Sequence, residues 1–216
     1  MALRLNGSSS GYVELDVPAA AGSHTLTLPD GGGSSGQYLQ TDGSGGLSWQ
    51  TVTDTTTNLT RGTAQSTSSG TGVTFTGIPS TARKITVMFD GVSTTGSTTN
   101  DAVIVQIGSG SITTTGYTAV WMYSNSGSTG TGNVSTGFPI ANGTSSYSFN
   151  GWMILTNVSG NTWVAGSVVQ ADLPGNDALG FGSGKITLGG TLDQLKITTV
   201  GSSFDGGSVN ILYEVA

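Results

Sequence analysis

The sequence contains no cysteine. Disulfides and thiolate metal sites are thereby excluded, and stability has to come from packing and assembly. Charge is nearly as scarce. Only 8% of the 216 residues are Asp, Glu, Lys or Arg, against about a quarter in ordinary soluble domains. The six basic residues, Arg4, Arg61, Arg83, Lys84, Lys185 and Lys196, are scattered, and only Arg83 and Lys84 adjoin. With a net charge of −6 and a pI of about 4.3 there is no basic footprint, so neither nucleic acid nor an anionic membrane surface is an expected partner. Long apolar runs are missing as well. "MALRLNGSSSG" lacks the apolar segment of a leader, and "WMIL" at 152–155 is far too short to cross a bilayer, so neither a secretion signal nor membrane insertion is expected.

What is abundant is glycine, 36 residues, set among serine and threonine. Low charge argues against a chain held open by repulsion. The composition suits an all-β protein in which Thr and Val fill strands and Gly, Ser and Asn fill turns. From Val73 onward the strands lengthen. "RKITVMFD" puts Ile85, Val87 and Phe89 on one face, and "DAVIVQIG" is apolar enough for a strand buried on both. "GWMILTNVSGNTWVAGSVVQ" reads as a hairpin, its turn taking positive φ at Gly160 and Asn161. The last strand alternates Val209, Ile211, Tyr213 and Val215 with polar or outward residues. No window has helical periodicity capped at both ends. About eight strands at regular spacing predict a jelly-roll-like β-sandwich over residues 72–216. Residues 53–71 hold one leucine and no aromatic, and read as a polar linker.

Residues 1–52 are different. "LRL", "YVELDV", "HTLTL", "QYLQ" and "LSWQTV" look like strands separated by Gly-Ser turns, yet large apolar side chains are few. A β-rich unit of this size cannot bury enough surface alone and leaves strand edges open. Association with copies of itself around a three-fold axis answers both problems, so the segment is predicted to be a short-stranded trimerisation and attachment module. Leu5, Tyr12, Val17, Leu26, Leu28, Tyr38, Leu47 and Trp49 are the candidate contacts, and Ala20 lies in a run of small residues that permits close approach at the axis.

"LNGSSSGYVELDVPAAAGSHTLTLP" followed by "GSSGQYLQTDGSGGLSW" resembles a module of tail-fibre and virion proteins of tailed bacteriophages, marine and cyanobacterial ones especially. "GIPSTARKITVMFDGVSTTG", "VQIGSGSITTTGYTA" and "FDGGSVNILYE" resemble phrases of the companion C-terminal domain, so the likeness covers most of the chain. The resemblance implies a homotrimeric, non-enzymatic protein on the virion exterior, made in the host cytoplasm and bound to other phage virion proteins of tail or capsid. The matched module begins at residue 5, without the adaptor and long shaft of such fibres, so a short tail fibre or tail tip contacting the host is expected, with a capsid decoration or head fibre as the rival.

Chemistry is thinly signalled. His24, the one histidine, lies in a Thr-rich alternating run and reads as an exposed strand residue. Asp90, Asp101 and Asp205 adjoin turn residues, which explains them without a glycosidase pair. No calcium-loop pattern occurs, and no cofactor or metal is expected. "GYTAVWMYSNSGSTGTGNVSTGF" is the candidate receptor-binding stretch. Tyr117, Trp121 and Tyr123 could stack on sugar rings of a host surface glycan, with Asn125 and Asn133 in a long Gly-Ser-Asn loop offering polar contacts. The competing expectation is that the aromatics point inward as core.

Overall fold

A computed structural model describes residues 3–15, 19–20, 22–52, 58–96, 102–142, 147–172, 175 and 177–215. The described residues are all strand, turn or loop, with no helix, and divide into two compact units, Met1–Thr55 and Thr56–Ala216.

The first unit consists of two antiparallel hairpins. β1 (Leu3–Asn6) pairs with β2 (Tyr12–Leu15), and β3 (Gln37–Thr41) pairs with β4 (Leu47–Thr51). Across the first, Arg4 meets Glu14 at 2.8 Å and its guanidinium lies 3.9 Å from the Tyr12 ring centre. The turn of the second is fixed by Asp42, whose carboxylate accepts the backbone N–H groups of Ser44 (2.7 Å) and Gly46 (2.9 Å). Those bonds favour the ionised form and hold the Asp42 carboxyl below the usual range. Trp49 donates its indole N–H to the Gly31 carbonyl at 2.6 Å, and its ring fills the space a side chain on Gly33 would need. The expected strand over "HTLTL" is absent. Only Thr27 bridges to Gly46, in parallel sense, because its neighbour there is the Asp42–Gly46 turn, which is too curved to continue a ladder.

The second unit is a sandwich. Its strands are β5 (Asn58–Arg61), β6 (Gln65–Ser66), β7 (Gly72–Thr76), β8 (Ala82–Thr94), β9 (Ala102–Ser109), β10 (Ser111–Ile112) and β11 (Thr118–Ser124). They continue with β12 (Thr129–Val134), β13 (Phe138–Asn142), β14 (Ser148–Ser159), β15 (Thr162–Asp172), β16 (Ala178–Thr187), β17 (Gln194–Thr199) and β18 (Phe204–Val215). The larger sheet runs β12-β11-β16-β15-β14-β8-β18-β5, with β6 also on β18. The smaller runs β10-β9-β17-β7, with β13 also on β9.

The chain passes from β8 to β9 and returns from β17 to β18. Each sheet receives one partner of each pair, which is the outer wrap of a jelly roll. Inside that wrap β14, β15 and β16 pair consecutively as a meander. The core is the alternate residues of the long strands. Ile85, Val87, Met153, Leu155, Val169, Val209 and Ile211 of the large sheet meet Val105, Ile107, Leu195 and Ile197 of the small one. β9 is buried from Ala102 through Gly108, as its unbroken apolar text predicts.

Three expectations need correction. Residues 58–61 and 65–66 are sheet strands on β18, not linker, because the last strand is long enough to seat them along its outer edge. The sandwich holds fourteen strands among the described residues rather than about eight. In the β14–β15 turn only Gly160 takes positive φ (50°); Asn161 does not, and Asn157 closes the turn by donating to the carbonyls of Gly160 and Thr162.

Candidate functional site

Of the aromatic candidates, Tyr117 is a core residue. It is buried, meets Phe138 edge-on with ring centres 5.0 Å apart, and its oxygen accepts the Ile107 N–H at 2.8 Å. Its proton is shared between the carbonyls of Thr113 (3.0 Å) and Ile107 (3.2 Å). Burial pushes the phenol up to about 12. Tyr117 therefore pins the entry of β11 to β9 and cannot touch a receptor.

Trp121 and Tyr123 follow on β11, on the same side of the strand as buried Ala119 but only half-buried. Their rings are nearly parallel, 9° apart, with centres separated by 5.9 Å. The register sets Trp121 opposite Gly132 and Tyr123 opposite Gly130. A Cβ on either glycine would fall within 3 Å of the facing ring, so both rings rest on bare backbone. The result is an aromatic step on the edge hairpin of the large sheet. Beside Trp121 opens a cleft of about 370 Å³, lined also by Ile104, Val134, Thr136 and Val200 and, among the described residues, by no charged group.

The expected long loop is mostly strand. Residues 129–134 form β12, and only the turn around residues 125–128 connects it to β11. Asn125 makes that turn, its amide oxygen accepting the N–H groups of Gly127 (3.1 Å) and Ser128 (2.8 Å). Asn133 is exposed opposite Val120, on the other side of the sheet from the rings, yet reaches the rim of the same cleft because β12 is an edge strand. Trp121 thus meets Tyr123 in the step and shares the cleft with Asn133, while Tyr117 and Asn125 serve the scaffold.

The attachment candidates of the first unit lie open. Leu5, Tyr12, Leu26, Leu28 and Tyr38 are exposed, Leu26 and Leu28 to 67% and 68%, and Ala20 is exposed too. Leu47 and Trp49 are half-buried in their hairpin, and Val17 lies outside the described residues. Every described residue buried as hydrophobic core belongs to the second unit.

The polar candidates sit in ordinary surroundings. His24 is exposed on a loop rather than a strand. Asp193 accepts the Gly110 N–H with both oxygens, and Asp205 accepts the Ser93 hydroxyl. Asp101 lies outside the described residues. Among the described residues no three His, Asp or Glu gather as metal ligands.

Sequence reasoning missed the outward face of the large sheet. Successive registers line up one row, Met88, Trp152, Val168, Phe181 and Met122, across β8, β14, β15, β16 and β11. The next row holds Thr86, Ile154, Gly166, Ser183 and Val120, and the one after it Lys84, Thr156, Val164, Lys185 and Thr118. Trp152, Met122 and Val120 are 43%, 42% and 50% exposed. The available signal was the second apolar phase of these strands: "WMIL" and "VVQ" put large side chains on both faces.

Comparisons with protein-family models, with characterised proteins and with solved structures found no match.

Proposed function

We propose that this chain is a non-enzymatic structural protein of a tailed-bacteriophage virion, a short trimeric tail fibre or tail-tip component that contacts the host surface. One observation carries the reading: the first unit is folded into hairpins that leave their apolar side chains in water. Leu5, Tyr12, Leu15, Leu26, Leu28, Tyr38 and Leu39 are all exposed there. Burying a large apolar side chain is worth about 1.5–3 kcal/mol, and an isolated two-stranded hairpin is marginal in water. A unit of this kind gains its stability by association, and three copies close the open strand edges. The resemblance of its text to phage fibre modules supplies the setting, the exterior of the particle, with other virion proteins as neighbours.

The sandwich has its own core and carries the Trp121–Tyr123 step beside a cleft whose described lining is uncharged. Flat aromatic faces beside neutral hydroxyl and amide groups suit a neutral sugar ring, and three linked copies add avidity for a repeated surface glycan. Hydrogen bonds to backbone N–H groups, within its own turn for Asp42 and to distant Gly110 for Asp193, account for both carboxylates without catalysis.

The test is adsorption. Purified chain should be trimeric, should bind host cells and should compete with phage attachment, and Trp121→Ala should weaken binding at unchanged mass. Trimers that ignore host cells but rebind particles stripped of this protein would replace host contact with capsid or tail decoration. A monomer would end the reading.

A further inference from the structure

The uncovered face of the large sheet is wide, apolar in the middle and charged at its two borders. The strands carrying it lie about 4.8 Å apart and alternate residues about 6.8 Å apart. Its two middle rows on β8, β14, β15, β16 and β11 therefore cover about 330 Å², and the full face from β18 to β12, border rows included and with Asn210 and Thr131 at the rim, about 670 Å². A stable interface takes about 800 Å² from each partner, with an apolar centre and a polar rim. One border is basic, Lys84 and Lys185; Lys84 is joined to Glu214 at 2.7 Å. The opposite border is acidic, with exposed Asp90 and Asp172. The chain is net −6, and this face gathers a third of its basic residues, two of six.

We propose that this face is the contact between sandwich units of three copies of this chain, turned inward around a common axis with the basic border of each copy against the acidic border of the next. The three-fold count rests on the trimer proposed above; the face itself does not. Opposite signs at opposite borders make the contact heterologous, and a heterologous contact closes into a ring when the rotation between neighbours brings the last copy back to the first. The dimensions fit three. From the Asp90 row to the Lys84 row is about 20 Å along the strands, and three walls of that width stand about 6 Å from their axis, close to the about 5 Å that one layer of side chains occupies between packed sheets. The Trp152–Phe181 row then runs parallel to the axis near the middle of each wall. Gly166 lies in the adjoining row with nothing within 4 Å of its Cβ position, a dent that a neighbouring side chain can enter.

The cysteine-free chain makes the test clean. Lys84→Cys and Asp90→Cys lie on one strand about 20 Å apart, beyond a short bismaleimide within one copy. In the full chain the double variant should crosslink to covalent trimers, while each single variant should not. Adding Trp152→Ser and Phe181→Ser should lower the crosslinked yield several-fold, with circular dichroism confirming that the sandwich is still folded. A trimeric chain whose double variant stays uncrosslinked overturns this contact and leaves the N-terminal trimer standing. Crosslinking that stops at dimers overturns the ring. A chain that is monomeric and uncrosslinked sinks both proposals.

Discussion

Tyr117, Trp121 and Tyr123 stand within seven positions and do two different things. Tyr117 is locked by bonds to Ile107 and Thr113, while the other two rings lie on Gly132 and Gly130. Removing the Tyr117 hydroxyl leaves the buried Ile107 N–H without that acceptor, a loss of about 1–3 kcal/mol. Tyr117→Phe should therefore lower the melting temperature of the sandwich by several degrees in calorimetry at neutral pH. The hydroxyl also sets an alkaline limit. Its pKa in the folded state is about 12, above the 10 of an unperturbed tyrosine, so its contribution is complete below pH 10 and is lost as pH rises from 10 to 12. The stability of the wild type should fall over that window, and Tyr117→Phe should flatten the decline. An equal decline in the variant would assign it to other groups.

At the scale of the element, β11 is read on both sides. Its inward side presents the aromatic step and its outward side Val120 and Met122 of the uncovered face. β12 serves this arrangement by alternating glycine inward with Thr129, Thr131 and Asn133 outward. Glycine here gives rings access to the backbone. A methyl group on Gly132 would meet the indole at 2.7 Å. Gly132→Ala should swing Trp121 off its seat at a cost of about 1 kcal/mol, the low end for overpacking, since a half-exposed ring has room to move. The check is the Trp121 contribution to fluorescence and near-ultraviolet dichroism, taken as a difference against Trp121→Phe. An unchanged spectrum would mean the ring does not rest there. Gly182 is a stricter case, because its Cβ would fall 2.0 Å from the Pro139 carbonyl oxygen, which belongs to β13 and has little freedom to retreat.

At the scale of the whole molecule the two units differ in what holds them together. The first has hydrogen-bonded hairpins and exposed leucines, and the second a closed core. Full-length chain should measure as a trimer by light scattering. A fragment beginning at Thr56 should be folded but monomeric when dilute, because without the first unit its copies lose the high effective concentration that linkage provides. A cut at Val73 would remove β5 and β6 from the edge of β18 and should melt lower than the cut at Thr56. A fragment from Thr56 that trimerises as tightly as the full chain would move the assembly determinant into the sandwich.

The sequence by itself determined the class of the fold and much of the core. Ile85, Val87 and Phe89, the doubly buried β9 and the last strand were legible because alternation has a period of two and burial follows it. It also determined that the first 52 residues cannot bury themselves, since too few large side chains are present for any arrangement to do so. Strand partners other than those of the β14–β15 hairpin were beyond its reach. The same polar text at 58–66 serves as linker or edge strand according to whether a longer strand lies beside it, and β18 does. The fate of three neighbouring aromatics was likewise undecided. Tyr117 is buried because β9 and Phe138 come to it, and Trp121 and Tyr123 stay half-open because their hairpin ends the sheet. The apolar outward row existed only after four registers aligned Met88, Trp152, Val168, Phe181 and Met122 from five strands, three of them a meander and two from elsewhere in the chain. Alternation is local and is written in the chain; adjacency between strands is not local, and only tertiary structure decides it.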